Sequence, residues 1–199
     1  MDHIIDIARK CIDKISVPDD KYKIVSGGRL YYEKGHLFLV HVLRTIIKRG
    51  LKEVILYIFG DGPFRPILER EIKKHNLQIK LLGKVPHEEA LYIMYKADVV
   101  AVPSIYEIMP MIVLEALALR KPVVTLYANY IKEFTSTGIH IEASKSLTDM
   151  GLKIINILRN RDTEKLREVT ERNYQILKKH FDISVTITRY IELYRTLIE

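Results

Sequence analysis

Two glutamates have surroundings that could make them ligand-binding groups. Glu107 lies in a polar stretch after the apolar run 99–102, and Glu115 follows it with seven residues between them. Apolar residues flank Glu115 on both sides, so its charge must face an open side of the fold or be buried with a partner. A pair of sugar hydroxyls is such a partner, because an ionised carboxylate accepts several hydrogen bonds. The alternative, that both are solvated surface carboxylates, stays open on the residues alone.

Between the glutamates, the sequence predicts the start of a helix. Pro110 stands where the helix should begin, and proline suits the first helical position because its missing N–H has no intrahelical partner there. The free amides of Met111, Ile112 and Val113 would then point into the crevice at the carboxyl ends of the strands. Helix N-termini bind anions, so this start predicts a phosphate site between the two carboxylates.

A pair of cations follows the first predicted strand, residues 22–26. Gly28 would let the backbone approach a ligand closely, and Arg29 and Lys34, five residues apart, could grip a diphosphate from one side. The common alternative is that two glycines after a strand form only a turn. The sequence has neither the G-x4-G-K-[ST] nor the G-x-G-x-x-G spacing, so it predicts no P-loop and no dinucleotide site.

Two more loops are expected at the same edge of the fold. The turn GDGP at 60–63 places Gly62 where its backbone could approach a substrate. Lys84, Val85 and Pro86 follow a short apolar run and could stack under a base while offering backbone hydrogen bonds. An ordinary tight turn and an ordinary strand–helix connection are the alternatives for these two loops.

Apolar runs that alternate with helix-length segments must position these residues. The predicted strands are residues 22–26, 53–59, 79–82, 99–102, 122–125 and 138–141. The predicted helices are residues 1–16, 34–49, 64–75, 87–96, a segment after Pro110, a turn at 131–134, and 145–159, 162–179 and 183–198, with Asp162 and Asp182 as caps for the last two. This order predicts an α/β fold, a doubly wound Rossmann-like parallel sheet of about six strands with helices on both faces and a helical C-terminal tail.

The same pattern gives the expected domain organisation. An N-terminal helix and linker would occupy 1–20, a Rossmann-like domain 21–160, and helices packing on it 161–199. The carboxyl ends of parallel strands share one edge, so we expect Arg29, Lys34, Glu107 and Glu115 to line one crevice there.

Composition limits the function classes. The 199 residues are 48% hydrophobic and carry a net charge of +7, but no apolar run is long enough to span a membrane and the N-terminus is not a signal peptide. The single Cys11 cannot form an internal disulfide and fits a cytoplasmic location. No basic run or zinc spacing indicates nucleic acid, and the histidines do not cluster as metal ligands. The positive charge suits the cytoplasmic membrane surface as a second candidate location.

The segment PSIYEIMPMIVLEALALRKPVV at 103–124 resembles the signature of the family-four (group 1) retaining glycosyltransferases of GT-B architecture. GGRLYYEKG at 27–35, IFGDGP at 58–63, LGKV at 82–85 and ADV at 97–99 resemble the same family, in the same order. The resemblance covers about residues 22–135 well, and it implies the C-terminal, nucleotide-sugar-binding half of such an enzyme.

The resemblance implies a sugar transfer from a nucleotide-diphosphate donor with retention at the anomeric carbon and without a metal or other cofactor. Arg29 and Lys34 would hold the donor diphosphate, and Glu107 would hold hydroxyls of the donor sugar. Glu115 would accept the ribose hydroxyls. The loop at 84–86 would meet the base, and the helix starting near 110 would bind a phosphate.

The sequence departs from the family pattern at two places. Arg120 replaces a glycine, and Asn129-Tyr130 replace a Gly-Gly loop that approaches the donor, which predicts a changed fit of the donor at that edge. Only about 20 residues precede the first strand, so we expect a separate N-terminal domain or chain to bind the carbohydrate or lipid-linked acceptor. The apolar faces of the last helices could pack on this domain or form a docking surface.

Two alternatives to an active glycosyltransferase remain. The chain could be a non-catalytic nucleotide-sugar-binding module that needs a separate acceptor-binding chain. It could also be a phosphate or lipid-surface binder that kept the fold and lost the donor site.

Overall fold

Six parallel strands form one sheet in the computed structural model, which describes residues 3–10, 20–126 and 129–198. They are β1 Tyr22–Gly27, β2 Val54–Phe59, β3 Ile79–Gly83, β4 Val99–Val102, β5 Val123–Leu126 and β6 Glu142–Ser144. Their order across the sheet is β3-β2-β1-β4-β5-β6, and every neighbouring pair is parallel. The predicted doubly wound, Rossmann-like sheet is confirmed.

Helices cover both faces of this sheet. They are α1 His3–Arg9, α2 Phe38–Lys48, α3 Arg65–Lys74, α4 His87–Tyr95, α5 Met111–Ala118, α6 Ile131–Ser136, α7 Leu147–Arg159, α8 Glu164–Phe181 and α9 Ile183–Ile198. The strand side chains alternate between two apolar cores: Ile24 and Leu56 pack on the side of α2 and α7, and Val25 and Tyr57 on the side of α4 and α5. Because both faces of the sheet are buried, the strands are continuous apolar runs, and this is why they could be predicted from the sequence.

The sixth strand begins four residues later than predicted. The predicted segment 138–141 is a loop, although Ile139 and Ile141 are buried. The reason is Asn173 of α8, whose side-chain Oδ1 accepts from the His140 N–H and whose Nδ2 donates to the His140 carbonyl, both at 2.8 Å. A side chain thus takes the backbone groups that a neighbouring strand would otherwise have bonded.

Several helix boundaries also differ from the predictions. A 3-10 turn, Tyr32–Lys34, ends at Gly35 in left-handed backbone (φ 68°), so α2 starts at residue 38 instead of 34. Thr163, not Asp162, caps α8, because its hydroxyl accepts from the Leu166 N–H. Asp182 does accept from the Ser184 N–H at the start of α9, as predicted. Residues 1–2 and 11–16 of the predicted first helix lie outside the described residues.

The final helix, α9, contains no buried residue. Its apolar side chains repeat at helical spacing along one stripe, and all of the following are exposed: Ile183, Ile187, Tyr190, Ile191, Leu193, Tyr194, Leu197 and Ile198. Among the described residues, no helix has the length and hydropathy needed to cross a bilayer.

Candidate functional site

The sheet reverses its winding between β1 and β4. The chain moves outward from β1 to β3 and then returns to the other side of β1 as β4. The loops after these two strands lie on either side of this reversal point, at the carboxyl edge of the sheet. Open α/β sheets bind ligands in the crevice at this point. The two loops are also joined, because the Ile105 N–H donates to the Glu33 carbonyl at 2.9 Å.

Lys34 and Glu107 form an ion pair across this crevice. Lys34 comes from the loop after β1 and Glu107 from the loop after β4, and their side chains are only 19% and 16% exposed. Removing either partner would leave a largely buried charge without compensation. Two residues that the sequence singled out for different reasons are therefore in direct contact at the reversal point of the sheet.

Glu115 of α5 is also largely buried, at 17% exposure, and its carboxylate lies 2.8 Å from Nε2 of His87. His87 is 65% exposed and is the first residue of α4, directly after the loop that holds Lys84, Val85 and Pro86. This contact brings the predicted base loop next to the predicted ribose carboxylate. The sequence analysis did not select His87; its position directly after that loop was the available signal.

The start of α5 differs from the prediction by one residue. Pro110 is buried and is the cap before the helix (φ −74°, ψ 116°), so Met111 is the first helical residue. The Val113 N–H donates to the Pro110 carbonyl at 3.0 Å. The predicted set of three free amides is therefore reduced to those of Met111 and Ile112.

Arg29 is exposed in the loop after β1 and does not contact the Lys34–Glu107 pair. Its guanidinium carbon lies 5.4 Å from the ring centroid of Tyr31, a cation–π arrangement, and it makes no ion pair with any residue the structure describes. The site thus holds one cation already paired across the crevice and one that is available to an anion.

Glycines at the carboxyl edge bring three strand-end loops into backbone contact. We call Gly28, Gly60, Gly62 and Gly83 the glycine seam. The Gly28 N–H donates to the Phe59 carbonyl at 3.1 Å, and the Gly60 N–H to the Gly83 carbonyl at 2.6 Å. A Cβ on Gly62 would lie 2.6 Å from the Leu30 carbonyl oxygen. The close approach predicted for Gly62 is therefore, in this structure, an approach to the neighbouring loop.

Arg120, the first departure from the family pattern, lies far from the crevice. It follows α5 and precedes β5, at the edge where the strands begin, so it does not contact the predicted donor site. Its φ of 56° is left-handed, a backbone conformation that suits the glycine of the family pattern described above. Its guanidinium pairs with Glu171 at 2.5 Å and stacks on Tyr174 at 3.9 Å.

Tyr130, part of the second departure, points into the core. Its ring is buried and meets Phe134 edge to face, and its hydroxyl bonds Thr125. Burial raises the pKa of Tyr130 to about 12, with the Thr125 hydrogen bond opposing and the Glu107 charge adding to the shift. The extra bulk of tyrosine thus lies among apolar side chains beneath the carboxyl edge.

We expect Tyr130→Phe to lower the free energy of unfolding by about 0.5–1.5 kcal/mol, the typical worth of one buried hydrogen bond. The Thr125 hydroxyl donates to the Leu126 carbonyl, so it would lose an incoming bond but keep its own acceptor. Urea unfolding measures the change. Tyr106→Phe, at an exposed position of the crevice loop, is the control and should leave the free energy of unfolding unchanged.

His36 is buried beside the crevice, and neither ring nitrogen makes a hydrogen bond of normal geometry among the described residues, although the Gly27 backbone lies close enough to favour the protonated ring. Burial lowers the pKa of His36 from its ordinary value of 6.5 to about 4. Above pH 6.5 the ring is neutral in both the folded and the unfolded chain. As the pH falls below 6.5, His36 binds a proton in the unfolded chain but not in the folded chain. The free energy of unfolding therefore falls until about pH 4, where the folded chain also binds the proton.

We therefore expect the protein to lose about 2 kcal/mol of unfolding free energy through His36 between pH 8 and pH 5. Urea unfolding at both pH values should show this loss, and His36→Phe should remove it. His41→Gln, at an exposed position of α2, should keep the wild-type dependence. Equal pH dependence in the wild type and His36→Phe would contradict the expectation.

No three His, Cys, Asp or Glu side chains of residues 3–10, 20–126 and 129–198 come together as a metal site. Of the four charged residues predicted to line the crevice, Lys34 and Glu107 are in contact, Glu115 contacts His87, and Arg29 contacts Tyr31. They suit hydroxyls and an anion on one ligand.

Comparison with known proteins identifies the family of this chain. The family model described as glycosyl transferases group 1 matches residues 9–176, which is more than half of the chain. The chain belongs to this family. It is 27% identical over 184 residues to the phosphatidylinositol N-acetylglucosaminyltransferase GPI3 subunit of Saccharomyces cerevisiae, covering 89% of this chain and 39% of that protein.

Two proteins of known structure share the fold. The Anabaena protein Alr3699/HepE, solved with UDP and glucose, has a TM-score of 0.79 at 20% identity, over 96% of this chain and 52% of that one. A glycosyltransferase from Rickettsia africae has a TM-score of 0.82 at 18% identity, over 98% of this chain and 52% of that one. The chain spans about half the length of these proteins, and it forms one half of a GT-B architecture.

Proposed function

We propose that this chain is the donor-binding half of a retaining glycosyltransferase, which transfers a sugar from a nucleotide-diphosphate sugar to an acceptor. The observation that carries the proposal is the Lys34–Glu107 ion pair at the reversal point of the sheet. A cation and a carboxylate held side by side there suit a donor that is anionic at its diphosphate and hydroxylated at its sugar.

In this proposal the cations hold the diphosphate. Arg29 has no carboxylate partner among the described residues, and Lys34 would exchange part of its contact with Glu107 for phosphate oxygens. The amides of Met111 and Ile112 at the start of α5 would add two neutral donors. Glu107, relieved of its full ion pair, would accept from hydroxyls of the donor sugar.

The nucleoside would lie toward β3. Glu115 would accept the two ribose hydroxyls, and the exposed loop at 84–86 would lie against the base. His87 already forms a hydrogen bond with Glu115. On ligand binding, His87 would either keep this bond and orient the carboxylate, or release the carboxylate to the ribose hydroxyls. The glycine seam, which includes Gly28, would let the diphosphate approach the backbone closely, because these residues carry no side chain.

The proposed reaction is electrostatic and needs no protein nucleophile. The bond from the anomeric carbon to the phosphate oxygen breaks, and the acceptor oxygen bonds the same carbon on the same face. The leaving diphosphate takes the acceptor's proton. Arg29 and Lys34 would stabilise the negative charge that develops on the diphosphate.

Calorimetric titration with UDP, GDP and ADP, in the presence of a chelator, tests the donor site. We expect one nucleotide to bind selectively without metal, with UDP tried first because Alr3699/HepE was solved with it. Glu115→Ala should weaken that binding by about 1–3 kcal/mol, the cost of unmet hydroxyl partners. Glu168→Ala removes an exposed carboxylate of α8 and is the matched control. Binding that Glu115→Ala leaves unchanged would contradict the assignment.

A second candidate is a non-catalytic binding module, favoured by the exposed apolar stripe of α9. We propose that an acceptor-binding domain or chain covers this stripe, and the relative GPI3 is itself named as a subunit. The acceptor is proposed to be a carbohydrate or lipid-linked molecule in the cytoplasm or at its membrane surface, since the GPI3 enzyme is named for phosphatidylinositol. The release of UDP from a UDP-sugar by this chain alone distinguishes a catalyst from a module.

A further inference from the structure

A basic cluster lies at the amino edge of the sheet, where β4 and β5 begin, at the opposite end of the strands from the crevice. A cavity of about 150 Å³ opens there between the turn before β4, the turn before β5 and the α7–α8 connection. Four cations and two carboxylates line it: Arg120, Lys121, Arg161, Arg167, Asp98 and Asp162. The donor site uses none of them.

The carboxylates of this cavity are already engaged. Asp98 accepts from the backbone N–H of Lys23 through Oδ2 at 2.7 Å and from Arg161 through Oδ1 at 3.3 Å. Asp162 is almost fully exposed and approaches only Arg161, at 3.5 Å. Neither acid forms an ion pair with Lys121.

Lys121 is a largely buried ammonium that makes no ion pair and no side-chain hydrogen bond in the described part of the chain, and the Asp98 charge acts on it only from a longer distance. Its Nζ lies 5.4 Å from the ring centroid of Tyr95. Burial lowers the pKa of Lys121 to about 8; the Asp98 charge opposes this shift, and the charges of Lys23 and Lys96 add to it. Arg167, exposed at the rim, likewise forms no ion pair with a described residue.

A larger cavity of about 520 Å³ adjoins the first, and the two share Pro122, Leu166 and Thr170 as lining residues. Its volume is in the range of small-molecule sites. Its walls carry amide side chains, at Asn156 and Asn160, and two cations that make no ion pair with described residues, Lys165 and Arg172. They also carry Glu142, whose carboxylate pairs with His140 and Lys153. The amides and the carboxylate suit hydroxyls.

We propose that the two cavities form a second ligand site, for the phosphate ester of a polyhydroxylated small molecule such as a sugar phosphate. The phosphate occupies the small cavity between Lys121 and Arg167, and the hydroxylated part occupies the larger one. The ligand is a free small molecule, because the unpaired ammonium lies inside a recess and not on an exposed surface. The proposal is independent of the donor site.

Calorimetric titration of the wild type with inorganic phosphate, glucose 1-phosphate and glucose, at constant ionic strength, tests this site. We expect glucose 1-phosphate to bind more tightly than phosphate, and glucose not to bind. Lys121→Met and Arg167→Gln should each weaken the binding of inorganic phosphate and of glucose 1-phosphate by about tenfold, the typical effect of losing one charge-assisted contact. Lys73→Met, an exposed lysine near the end of α3, is the matched control and should bind as the wild type.

Comparison with donor-site variants identifies which site is occupied. Lys34→Ala should leave glucose 1-phosphate binding unchanged, while Lys121→Met should leave UDP binding unchanged. Absence of saturable phosphate binding, or binding that Lys121→Met and Arg167→Gln do not alter, would overturn the proposal. So would loss of glucose 1-phosphate binding in Lys34→Ala, which would mean that the ligand occupies the donor crevice.

Vesicles of equal parts phosphatidylcholine and phosphatidylglycerol test the source of the phosphate. The wild type and Lys121→Met should co-sediment with them to the same extent. Co-sedimentation that depends on Lys121 would assign the cavity to a lipid headgroup and overturn the assignment to a free ligand.

Discussion

Lys34→Ala should lower the rate of UDP release from the donor by about 10²–10³, the usual effect of removing one group that stabilises developing charge. The ammonium is held at the crevice by Glu107, so it needs little reorganisation to meet the diphosphate. It should also weaken the binding of UDP and leave the binding of uridine nearly unchanged, since only UDP carries the phosphates. Calorimetry with UDP and uridine separates the two contributions.

Two variants complete this test. Lys48→Ala removes an exposed lysine at the end of α2 and should bind UDP as the wild type does. Glu107→Gln removes the partner's charge but keeps Lys34, so UDP should still bind. If Lys34→Ala and Glu107→Gln weakened UDP and uridine equally, the ion pair would act only by holding the two loops together, and the proposed contact with the diphosphate would be rejected.

Gly60→Ala should lower the free energy of unfolding by at least about 3 kcal/mol. Gly60 has a φ of 109°, which side-chain-bearing residues rarely adopt, and a Cβ there would overlap the carbonyl oxygen of Gly28. The neighbouring groups are backbone atoms at the ends of two buried strands, so they cannot rotate away. Urea unfolding measures the loss.

Gly50→Ala is the matched control for this effect. Gly50 has a φ of 92°, but a Cβ there would have no neighbour within 4 Å. We expect a cost of only about 1–2 kcal/mol, the strain of the backbone alone. Equal losses in the two variants would show that the glycine seam is not closely packed. UDP binding should also fall in Gly60→Ala, because Gly28 leads directly into Arg29.

The sequence was sufficient for elements whose stability is local or that are buried on both faces. The strands at 54–59 and 99–102 are runs of apolar residues, and the predicted bounds were correct within a residue. The strand at 142–144 was misplaced because Asn173, more than 30 residues later, bonds the backbone of His140. A local sequence pattern cannot predict a hydrogen bond from a side chain on a distant helix.

The sequence selected candidate site residues but did not predict the contacts between them. Lys34 and Glu107 were each selected, but their pairing depends on β1 and β4 being neighbours, which the strand order decides. His87 was missed because no sequence pattern distinguishes a single exposed histidine. Only its contact with Glu115 in the folded chain marks it as part of the candidate site. Arg120 and Tyr130 were placed at the donor edge, whereas one lies at the other end of the sheet and the other faces the core.

The glycine seam has a consequence for how such a chain can diversify. Backbone groups of the loops after β1, β2 and β3 are bonded to one another, so a residue inserted into any of these loops would break bonds in its neighbour. Changes in loop length should therefore be rare among sequences that keep this seam, and selectivity for a new donor would arise by substitution. The exposed side chains near the crevice, Lys84, Ile108 and Met111, are the positions that can vary without disturbing the strands.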